Sequence, residues 1–163
     1  MAEEAVYGAI RRLLDGAGAA YREAEHGPTR TSEESAAARG EPLSVGGKAL
    51  LLRVKGEFRL FVLSAARKLD SKKVQARFGD KRIRFATAQE LLQLTGLVPG
   101  AVPPFGRPVL PFDLYVDESI TRNDRVAFNA GLLTRSIVLS REDYLRIANP
   151  VEIFDFSEPA ASA

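Results

Sequence analysis

Several residue types that carry common protein chemistry are missing or scarce in this sequence of 163 residues. There is no cysteine, which excludes disulfides, thiolate nucleophiles, cysteine-based zinc fingers and iron–sulfur ligation. The single histidine, His26, cannot build a multi-histidine metal site, and neither a complete phosphate-binding loop nor a G-x-S-x-G motif is present. The sequence therefore predicts no metal and no cofactor.

Long hydrophobic runs are also absent. The longest apolar stretches, Ala49 to Leu52 and Leu60 to Leu63, contain only a few residues, whereas a membrane-spanning helix needs roughly 20. The start of the chain is acidic before its apolar positions and carries Arg11 and Arg12 among them, the reverse of a signal peptide. We expect a soluble, cytoplasmic protein with no membrane partner.

The length and composition favour a single domain. With 45% hydrophobic and 27% charged residues, the chain can bury one substantial core but is short for two. The pattern of apolar residues predicts that residues 1–156 form this domain. Residues 157–163 are predicted to be a frayed tail.

The net charge of +2 hides an uneven distribution of charge along the chain. The segment from Lys48 to Arg84 contains twelve lysines and arginines against three acids, a net +9, and the remainder sums to −7. A basic segment of this kind is typical of a surface that binds a polyanion such as nucleic acid. It is also compatible with an ordinary solvated surface, so charge alone leaves both readings open.

Helix and strand patterns alternate irregularly. Thr31 to Glu34 and Thr87 to Glu90 are capping boxes that open two helices, and a stripe of apolar residues in 6–14 predicts another. Lys48 to Val54 and Glu57 to Ser64 predict two strands, and the second, with apolar side chains on both faces, is predicted to be a central strand covered on both sides. The other expected elements are a strand near Tyr21, a helix capped by Ser71, a strand at 82–86, a three-stranded meander (114–119, 125–129 and 135–139), a helix capped by Ser140 and a strand at 151–156. This order favours an α+β fold with a mixed or antiparallel sheet that can curl into a partial barrel.

Two local features point to a site. Residues 97–111 contain five prolines and two glycines, too many for a helix or a sheet interior, and a stiff loop of this length often shapes a binding site. Lys48 follows Gly46 and Gly47 at the head of an apolar strand. A cation held there can bind an anion or polarise a carbonyl, but a strand-end lysine can equally extend into water.

The remaining polar residues offer no recognisable catalytic pair. Asp117 and Glu118 are neighbours in a predicted strand and so point to opposite faces, which leaves at most one of them facing a pocket. Asn129 and Gly131 lie in a predicted turn, where backbone conformation alone explains both residue types. His26 is either a base or a structural histidine.

Several short motifs follow one another between residues 29 and 139. They are TSEE at 31–34, GKALL at 47–51, LDSKKV at 69–74, TGLVPG at 95–100 with PFG at 104–106, VDE at 116–118 and NAG at 129–131. In this order they resemble the YbaK family, free-standing relatives of the editing domain inserted in bacterial prolyl-tRNA synthetases. The resemblance implies an α+β domain with a mixed, partly barrel-like β-sheet surrounded by helices. Such a domain would hydrolyse the ester of a mischarged tRNA, in most members a tRNA for proline.

The resemblance also implies roles for particular residues. Lys48 would bind the substrate near its terminal adenosine, and Asp117 would contribute to substrate binding. The glycine–proline loop would shape the aminoacyl pocket through Gly100, Pro104, Phe105 and Gly106. The basic segment would follow the phosphates of the acceptor stem through Arg67, Lys68, Lys72 and Lys73.

The chemistry of such a reaction needs few side chains. An aminoacyl ester is already activated, so holding a water in position and stabilising the oxyanion can suffice without a side-chain nucleophile. We expect Lys48 to anchor the substrate, the backbone amides around Gly100 and Gly131 to donate to the oxyanion, and Asn129 to orient substrate or water.

Two other functions compete with the deacylase hypothesis. A non-catalytic module of the same fold would bind tRNA or dock on prolyl-tRNA synthetase, the partner that the resemblance suggests. An esterase or nucleotide-binding protein unrelated to tRNA would not depend on the basic segment. The sequence does not decide which amino acid a deacylase would remove among alanine, cysteine, serine and threonine.

Overall fold

Short helices and strands alternate over residues 2–160, the part of the chain that the computed structural model describes. The helices are α1 (Ala2–Gly16), α2 (Ser32–Arg39), α3 (Ser71–Phe78), α4 (Ala88–Thr95) and α5 (Arg141–Ala148). The strands are β1 (Tyr21–Glu25), β2 (Gly47–Val54), β3 (Glu57–Ser64), β4 (Arg67–Leu69), β5 (Arg84–Phe85), β6 (Leu114–Asp117), β7 (Arg125–Asn129), β8 (Arg135–Ser140), β9 (Glu152–Phe154) and β10 (Ser157–Pro159). This composition confirms the predicted α+β class.

The largest sheet has five strands in the order β5-β2-β3-β6-β9. β2 and β3 pair antiparallel through a tight turn at Lys55 and Gly56, which both have the positive φ that a two-residue hairpin of the correct twist requires. β3, β6 and β9 pair in parallel, so the sheet is mixed, as predicted. It is an open sheet with β5 and β9 at its edges, and the curl into a partial barrel stays a prediction.

The meander predicted for residues 114–139 is wrong. β7 and β8 pair with β1 in a separate antiparallel sheet, while β6 lies inside the central sheet with all its residues buried. β6 also ends earlier than predicted, at Asp117, whose carboxylate accepts a hydrogen bond from the Ser119 amide at 3.0 Å and caps a 3₁₀ turn. This turn, Glu118–Arg122, leads the chain away from β6 to the second sheet.

Two hydrophobic cores cover the two faces of the central sheet. Alternate residues of β3 belong to different cores, with Leu60 and Val62 in the larger and Phe61 and Leu63 in the smaller. Because successive side chains of a strand point to opposite faces, the unbroken apolar run of β3 is what a doubly covered strand requires. The prediction of a strand buried on both faces is confirmed.

Local capping signals define most helix ends. Both predicted capping boxes form, one between Thr31 and Glu34 at α2 and the other between Thr87 and Glu90 at α4. α3 differs from the prediction, because Asp70 rather than Ser71 accepts from the Lys72 amide, at 3.1 Å. A carboxylate is a strong N-cap, and its negative charge also interacts favourably with the positive end of the helix dipole. Within residues 2–160, no helix is both long and apolar enough to cross a membrane.

The C-terminal strand β10 contradicts the frayed tail predicted from Ser157. β10 pairs antiparallel with β4, a strand that the sequence patterns also missed. Ser157 is buried, and its hydroxyl donates to the buried Asp117 carboxylate at 2.7 Å. A three-residue strand has no periodicity of its own, so only the folded chain reveals it. Residues 161–163 of the predicted tail lie outside the described residues.

Candidate active site

A cavity of about 230 Å³ lies where the start of α2, the start of β2 and the glycine–proline loop meet. Three of the residues predicted for the site, Lys48, Gly100 and Asn129, line it together. The other lining residues are Arg30, Thr31, Ser32, Ser35, Arg39, Gly46, Gly47, Ala49, Leu50, Ala65 and Val102. The wall is therefore rich in hydroxyl groups and cations, with a few small apolar side chains.

The two glycines before Lys48 allow β2 to begin in close contact with its neighbours. A Cβ atom on Gly47 would lie 2.9 Å from Val126 Cγ1, and one on Gly46 would lie 3.0 Å from Ala65 Cβ. Both distances are shorter than ordinary packing contacts, so larger residues would force the strand outward. The glycines thereby hold Lys48 at the wall of the cavity.

Lys48 is half-buried at this wall. Its ammonium group donates to the Arg67 carbonyl oxygen at 3.0 Å. Burial lowers the pKa of Lys48, and the Glu33 carboxylate acts in the opposite direction. The lysine forms no ion pair with any residue from 2 to 160. Its charge is therefore available to a ligand, and its catalytic role stays a prediction.

Arg39 is another cation in the wall, one that no sequence pattern predicted. The residue is buried, its Nε donates to Ser136 Oγ at 2.8 Å, and its Nη2 donates to Asn129 Oδ1 at 3.1 Å. Burial lowers its pKa to about 10, and the Glu41 carboxylate acts in the opposite direction. Helical spacing could have found it, because Arg39 follows the buried Ser35 by four residues and shares its face.

The outer nitrogen of Arg39, Nη1, lies beside Gly46 of the cavity wall, where an added Cβ atom would come within 3.7 Å of it. Within the described chain Nη1 has no hydrogen-bond partner, yet no side-chain nitrogen or oxygen there is both fully buried and unpaired. Nη1 must therefore reach open space, and Arg39 lines the cavity. A guanidinium group held by neutral partners, with free donors toward a cavity, is suited to an anionic or strongly polarised oxygen.

The side-chain amide of Asn129 forms its hydrogen bonds with protein partners, and its role in orienting substrate or water stays a prediction. Its Oδ1 accepts from Arg39 and from Ser136, each at 3.1 Å. Its Nδ2 donates to the Gly100 carbonyl at 2.9 Å and lies 3.4 Å from the hydroxyls of Thr29 and Ser35. Since an amide has two donors and two acceptor positions, its capacity is used within the protein. Asn129 connects Arg39 to the glycine–proline loop.

His26 lies behind this network and does not line the cavity. Its Nδ1 lies 2.8 Å from the Gly27 carbonyl oxygen. Its Nε2 lies 2.8 Å from Ser136 Oγ, the same oxygen that accepts from Arg39. His26 therefore supports the partner of Arg39 and has no direct contact with the cavity wall.

Three loop residues predicted to shape the pocket instead belong to the core. Phe105 is buried, with its ring centroid 5.5 Å from that of Phe128 and 5.4 Å from that of Tyr144. The Pro104 carbonyl accepts from the Tyr144 hydroxyl at 2.6 Å, and a Cβ on Gly106 would lie 2.5 Å from the Phe112 carbonyl oxygen. Hydrophobic burial explains this placement, so only the first part of the loop, at Gly100 and Val102, reaches the cavity.

Gly131 and Asp117 are also placed away from the cavity. The Gly131 amide donates to the Ala101 carbonyl at 2.9 Å and so is not available to an oxyanion. The Asp117 carboxylate is buried and accepts from the amides of Ser119 and Phe156 and from the Ser157 hydroxyl. Asp117 thus joins β6 to the C-terminal strand, because a buried carboxylate needs several donors.

Backbone amides of the glycine–proline loop remain free at the cavity wall. Within residues 2–160, neither the Gly100 amide nor the Val102 amide has a hydrogen-bond acceptor. Both residues line the cavity, and the Gly100 carbonyl is held by Asn129 at 2.9 Å. Free amides on a fixed loop are the groups that stabilise a developing oxyanion.

The four residues predicted to contact RNA phosphates lie on β4 and α3. Three of them already have partners: Arg67 Nε donates to Ser157 Oγ at 2.6 Å, Lys68 pairs with Glu158 at 3.0 Å and Lys73 pairs with Asp155 at 2.9 Å. Lys72 is exposed and forms no ion pair within the described residues. Exposed ion pairs are weak, so a phosphate can replace the acid.

The fold and the cavity together define a class of protein. An α+β scaffold presents three cations, Arg30, Arg39 and Lys48, and free backbone amides to a small cavity, and no serine–histidine or cysteine–histidine pair forms part of the described wall. Such a site binds a ligand that bears a carbonyl or an anion and stabilises negative charge on it. The family model of the aminoacyl-tRNA editing domain matches residues 26–147, and the chain belongs to this family.

Individual relatives agree with this assignment. The chain is 38% identical over 154 residues to the multifunctional Ser/Thr-tRNA deacylase ProXp-y of Escherichia coli K12, an alignment that covers 91% of this chain and 90% of the relative. It is 30% identical over 132 residues to the prolyl-tRNA editing protein ProX of Acetoanaerobium sticklandii, an alignment that covers 78% of this chain and 80% of the relative. A solved structure described as a candidate trans-editing enzyme for prolyl-tRNA synthetase superposes with a TM-score of 0.82 at 26% sequence identity. The superposition covers 96% of this chain and 97% of the solved chain. The predicted membership of the YbaK family is confirmed.

Proposed function

We propose that this protein is a trans-editing aminoacyl-tRNA deacylase, a hydrolase that cleaves the ester of a mischarged tRNA, with tRNA(Pro) as its carrier. Membership of the editing-domain family supports the reaction, as do the names of the relatives from E. coli and A. sticklandii. The observation that carries the proposal is the cavity whose wall contains Lys48 and Arg39, which form no ion pair within residues 2–160, together with the amides of Gly100 and Val102, which have no acceptor there.

The reaction follows from these groups. A water attacks the ester carbonyl carbon, and the carbonyl oxygen becomes an oxyanion that accepts from the Gly100 and Val102 amides. The tetrahedral intermediate then breaks its bond to the ribose oxygen, which takes up the proton lost by the water. The products are a free amino acid and a tRNA with an intact terminal ribose. Lys48 and Arg39 supply positive charge beside the anionic intermediate.

We further propose serine and threonine as the amino acids removed. The relative from E. coli is named for these two amino acids. The cavity is small and carries hydroxyl groups from Thr31, Ser32 and Ser35, and the Ser32 hydroxyl has no partner within residues 2–160. A site built to bond a substrate hydroxyl discriminates strongly against analogues that lack it.

The partners follow from the substrate. Mischarged tRNA is the main partner, and prolyl-tRNA synthetase, which would produce it, is the second. We assign the protein to the cytoplasm, where tRNA is charged. A non-catalytic module that binds tRNA or the synthetase is the competing function, and the assay below separates the two.

The test is a deacylation panel. tRNA(Pro) charged with serine, threonine, alanine, cysteine or proline is incubated with the protein, and we expect fast release of serine and threonine with prolyl-tRNA spared. Lys48→Ala should lower kcat/KM by about 10²-fold or more, while the melting temperature stays nearly unchanged. Arg122→Ala, which removes an exposed cation outside the basic segment and away from the cavity, is the control variant.

Two results would contradict this proposal. If no ester is hydrolysed while tRNA still binds, the protein is a non-catalytic module. If Lys48→Ala instead causes a large fall in melting temperature, the lysine has a structural role through its bond to the Arg67 carbonyl.

A further inference from the structure

A second cavity, of about 160 Å³, adjoins the active site. The two cavities share four lining residues, Ala49, Leu50, Gly100 and Val102. Unlike the first, the second cavity has a mainly apolar wall and contains no charged side chain. Its other lining residues are Leu51, Phe85, Ala86, Thr87, Ala88, Leu91 and Pro99. One continuous depression therefore has a polar, cationic half and an apolar half.

Phe85 is the aromatic side chain of the apolar half. It lies on the edge strand β5 and is 55% exposed, unusually open for a phenylalanine. Among residues 2–160 its ring stacks on no other aromatic ring and lies under no arginine or lysine, whereas other phenylalanines form such pairs. A face of the ring is thus open to a planar ligand.

The backbone around Phe85 is held in place. Phe85 pairs with Leu52 of β2, and the Ala86 amide donates to the Leu51 carbonyl at 2.9 Å. On either side, Arg84 binds Glu90 through two hydrogen bonds, and the Thr87 capping box starts α4. A fixed backbone around an exposed aromatic ring is typical of a binding surface and costs little entropy when a ligand stacks on it.

The two halves are arranged along β2. Lys48 lies in the polar half, Ala49 and Leu50 belong to both, and Leu51 lies in the apolar half. A strand advances about 3.3 Å per residue, so the two halves are only a few residues apart, about 10 Å from Lys48 to Leu51. In an aminoacylated adenosine, the ester and the base are attached to the same ribose. An ester held in the polar half therefore directs the base toward the apolar half.

We propose that the second cavity binds the terminal adenine base of the substrate tRNA, stacked on the ring of Phe85. This inference rests on the proposed deacylase function, and it assigns the apolar half to the nucleobase and the polar half to the aminoacyl ester. Base stacking on an aromatic side chain is favourable for any base and needs an exposed, rigid ring. The apolar side chains around Phe85 exclude water from the remaining face of the base.

The experiment compares two substrates and two matched variants. Seryl-tRNA with its natural terminal adenosine is compared with the same seryl-tRNA whose terminal nucleoside lacks the base. We expect the protein to prefer the natural substrate by about 5- to 150-fold in kcat/KM, the range that stacking energies convert to. Phe85→Ala should abolish most of this preference, and Phe85→Trp should keep it.

Leu92→Ala is the control variant. Leu92 is 52% exposed on the neighbouring α4 but does not line the second cavity, so its removal should leave the base preference unchanged. Since Phe85 and Leu92 are both exposed, neither substitution is expected to impair folding.

The outcomes separate the base site from the proposed function. If the protein hydrolyses both substrates equally well, the base site is refuted while the deacylase function stands. If Phe85→Ala changes the preference among serine, threonine and larger amino acids but not the dependence on the base, the cavity holds the aminoacyl side chain and the inference is wrong. If neither substrate is hydrolysed, the proposed function itself fails.

Discussion

Arg39 combines a buried charge with neutral partners, an arrangement that folding alone does not favour. Its contacts to Ser136 and Asn129 are hydrogen bonds to neutral groups, and it forms no ion pair within the described chain. Removing a guanidinium group from water costs several kcal/mol when no opposite charge compensates it. A residue kept at such a cost, with its outer nitrogen toward a cavity, is expected to act on a ligand.

Arg39→Met is therefore predicted to separate activity from stability. The substitution keeps the volume of the side chain and removes the buried charge, so the free energy of unfolding should change by less than about 1 kcal/mol. Deacylation should fall by about 10²-fold in kcat/KM, because positive charge beside the oxyanion is lost. Urea unfolding and single-turnover deacylation measure the two effects. A loss of several kcal/mol of stability would instead make Arg39 a structural residue.

Lys48 gives the site a dependence on pH. Because burial lowers its folded-state pKa, Lys48 loses its proton at a lower pH than an exposed lysine would. Binding that needs its charge should weaken as the pH rises toward this lowered pKa, whereas folding stability should increase over the same interval, since the unfolded chain then binds more protons. The two quantities should thus change in opposite directions.

The measurement uses an amide-linked seryl-tRNA, which the protein cannot hydrolyse as an ester. Its dissociation constant is determined between about pH 7 and 10, the range below the ordinary lysine pKa. Lys48→Arg keeps its charge throughout this range and should bind with a flatter pH profile. If the wild-type and Lys48→Arg profiles coincide, the charge of Lys48 does not govern binding.

At the scale of secondary structure, Asp117 joins elements that are distant in the sequence. Its carboxylate accepts from Ser119 in the 3₁₀ turn and from Phe156 and Ser157 beside β10. The bonds from Phe156 and Ser157 tie the end of β6 to the C-terminal segment, and the bond from Ser119 caps the turn that follows β6. The geometry gives the carboxylate a structural task, in place of the substrate contact that the sequence suggested.

Asp117→Ala is accordingly predicted to destabilise the fold without changing the chemistry. Its loss leaves buried donors without an acceptor, each worth about 1–3 kcal/mol, so the free energy of unfolding should fall by about 3 kcal/mol or more. Asp117→Asn, which keeps one acceptor, should fall between the wild type and the alanine variant. The kcat/KM of the folded fraction should stay within a factor of two or so of wild type. A selective loss of kcat/KM at full stability would restore Asp117 to the substrate site.

Elements with local signals were predictable from the sequence, and pairings between distant segments were not. The capping boxes at Thr31 and Thr87 and the hairpin turn at Lys55 depend on a few neighbouring residues, and all three form. The parallel pairing of β6 and the strand β10 depend on contacts across the whole chain. No local periodicity records such contacts, which explains the incorrect meander and tail.

The same distinction applies to the site. Lys48 and Gly100 were found because glycines beside a cation and a stiff loop are local patterns, and both line the cavity. Phe105 was misplaced because an aromatic residue in a loop looks the same in sequence whether it lines a pocket or fills a core. Arg39 was missed because its importance comes from Ser136 and Asn129, about ninety residues away.

At the scale of the whole molecule, folding brings acids onto the basic segment. Lys68, Lys73 and Arg77 pair with Glu158, Asp155 and Glu152 from the C-terminal region, and Arg84 pairs with Glu90. Acidic side chains from outside the segment therefore neutralise part of the net +9 charge of residues 48–84, which the linear sequence does not show. Cations without an acidic partner are then the ones that dominate long-range attraction of RNA.

Lys72→Ala tests which cations meet the phosphates. Lys72 is exposed and free of ion pairs within the described chain, so a direct phosphate contact predicts weaker tRNA binding and a salt dependence that is shallower by about one unit of log Kd per log salt. Arg122→Ala removes the same charge outside the basic segment and should leave this slope nearly unchanged. Titrations of tRNA at several salt concentrations give both slopes. Equal slopes for the two variants would mean that net charge alone attracts the RNA, and that α3 does not contact the acceptor stem.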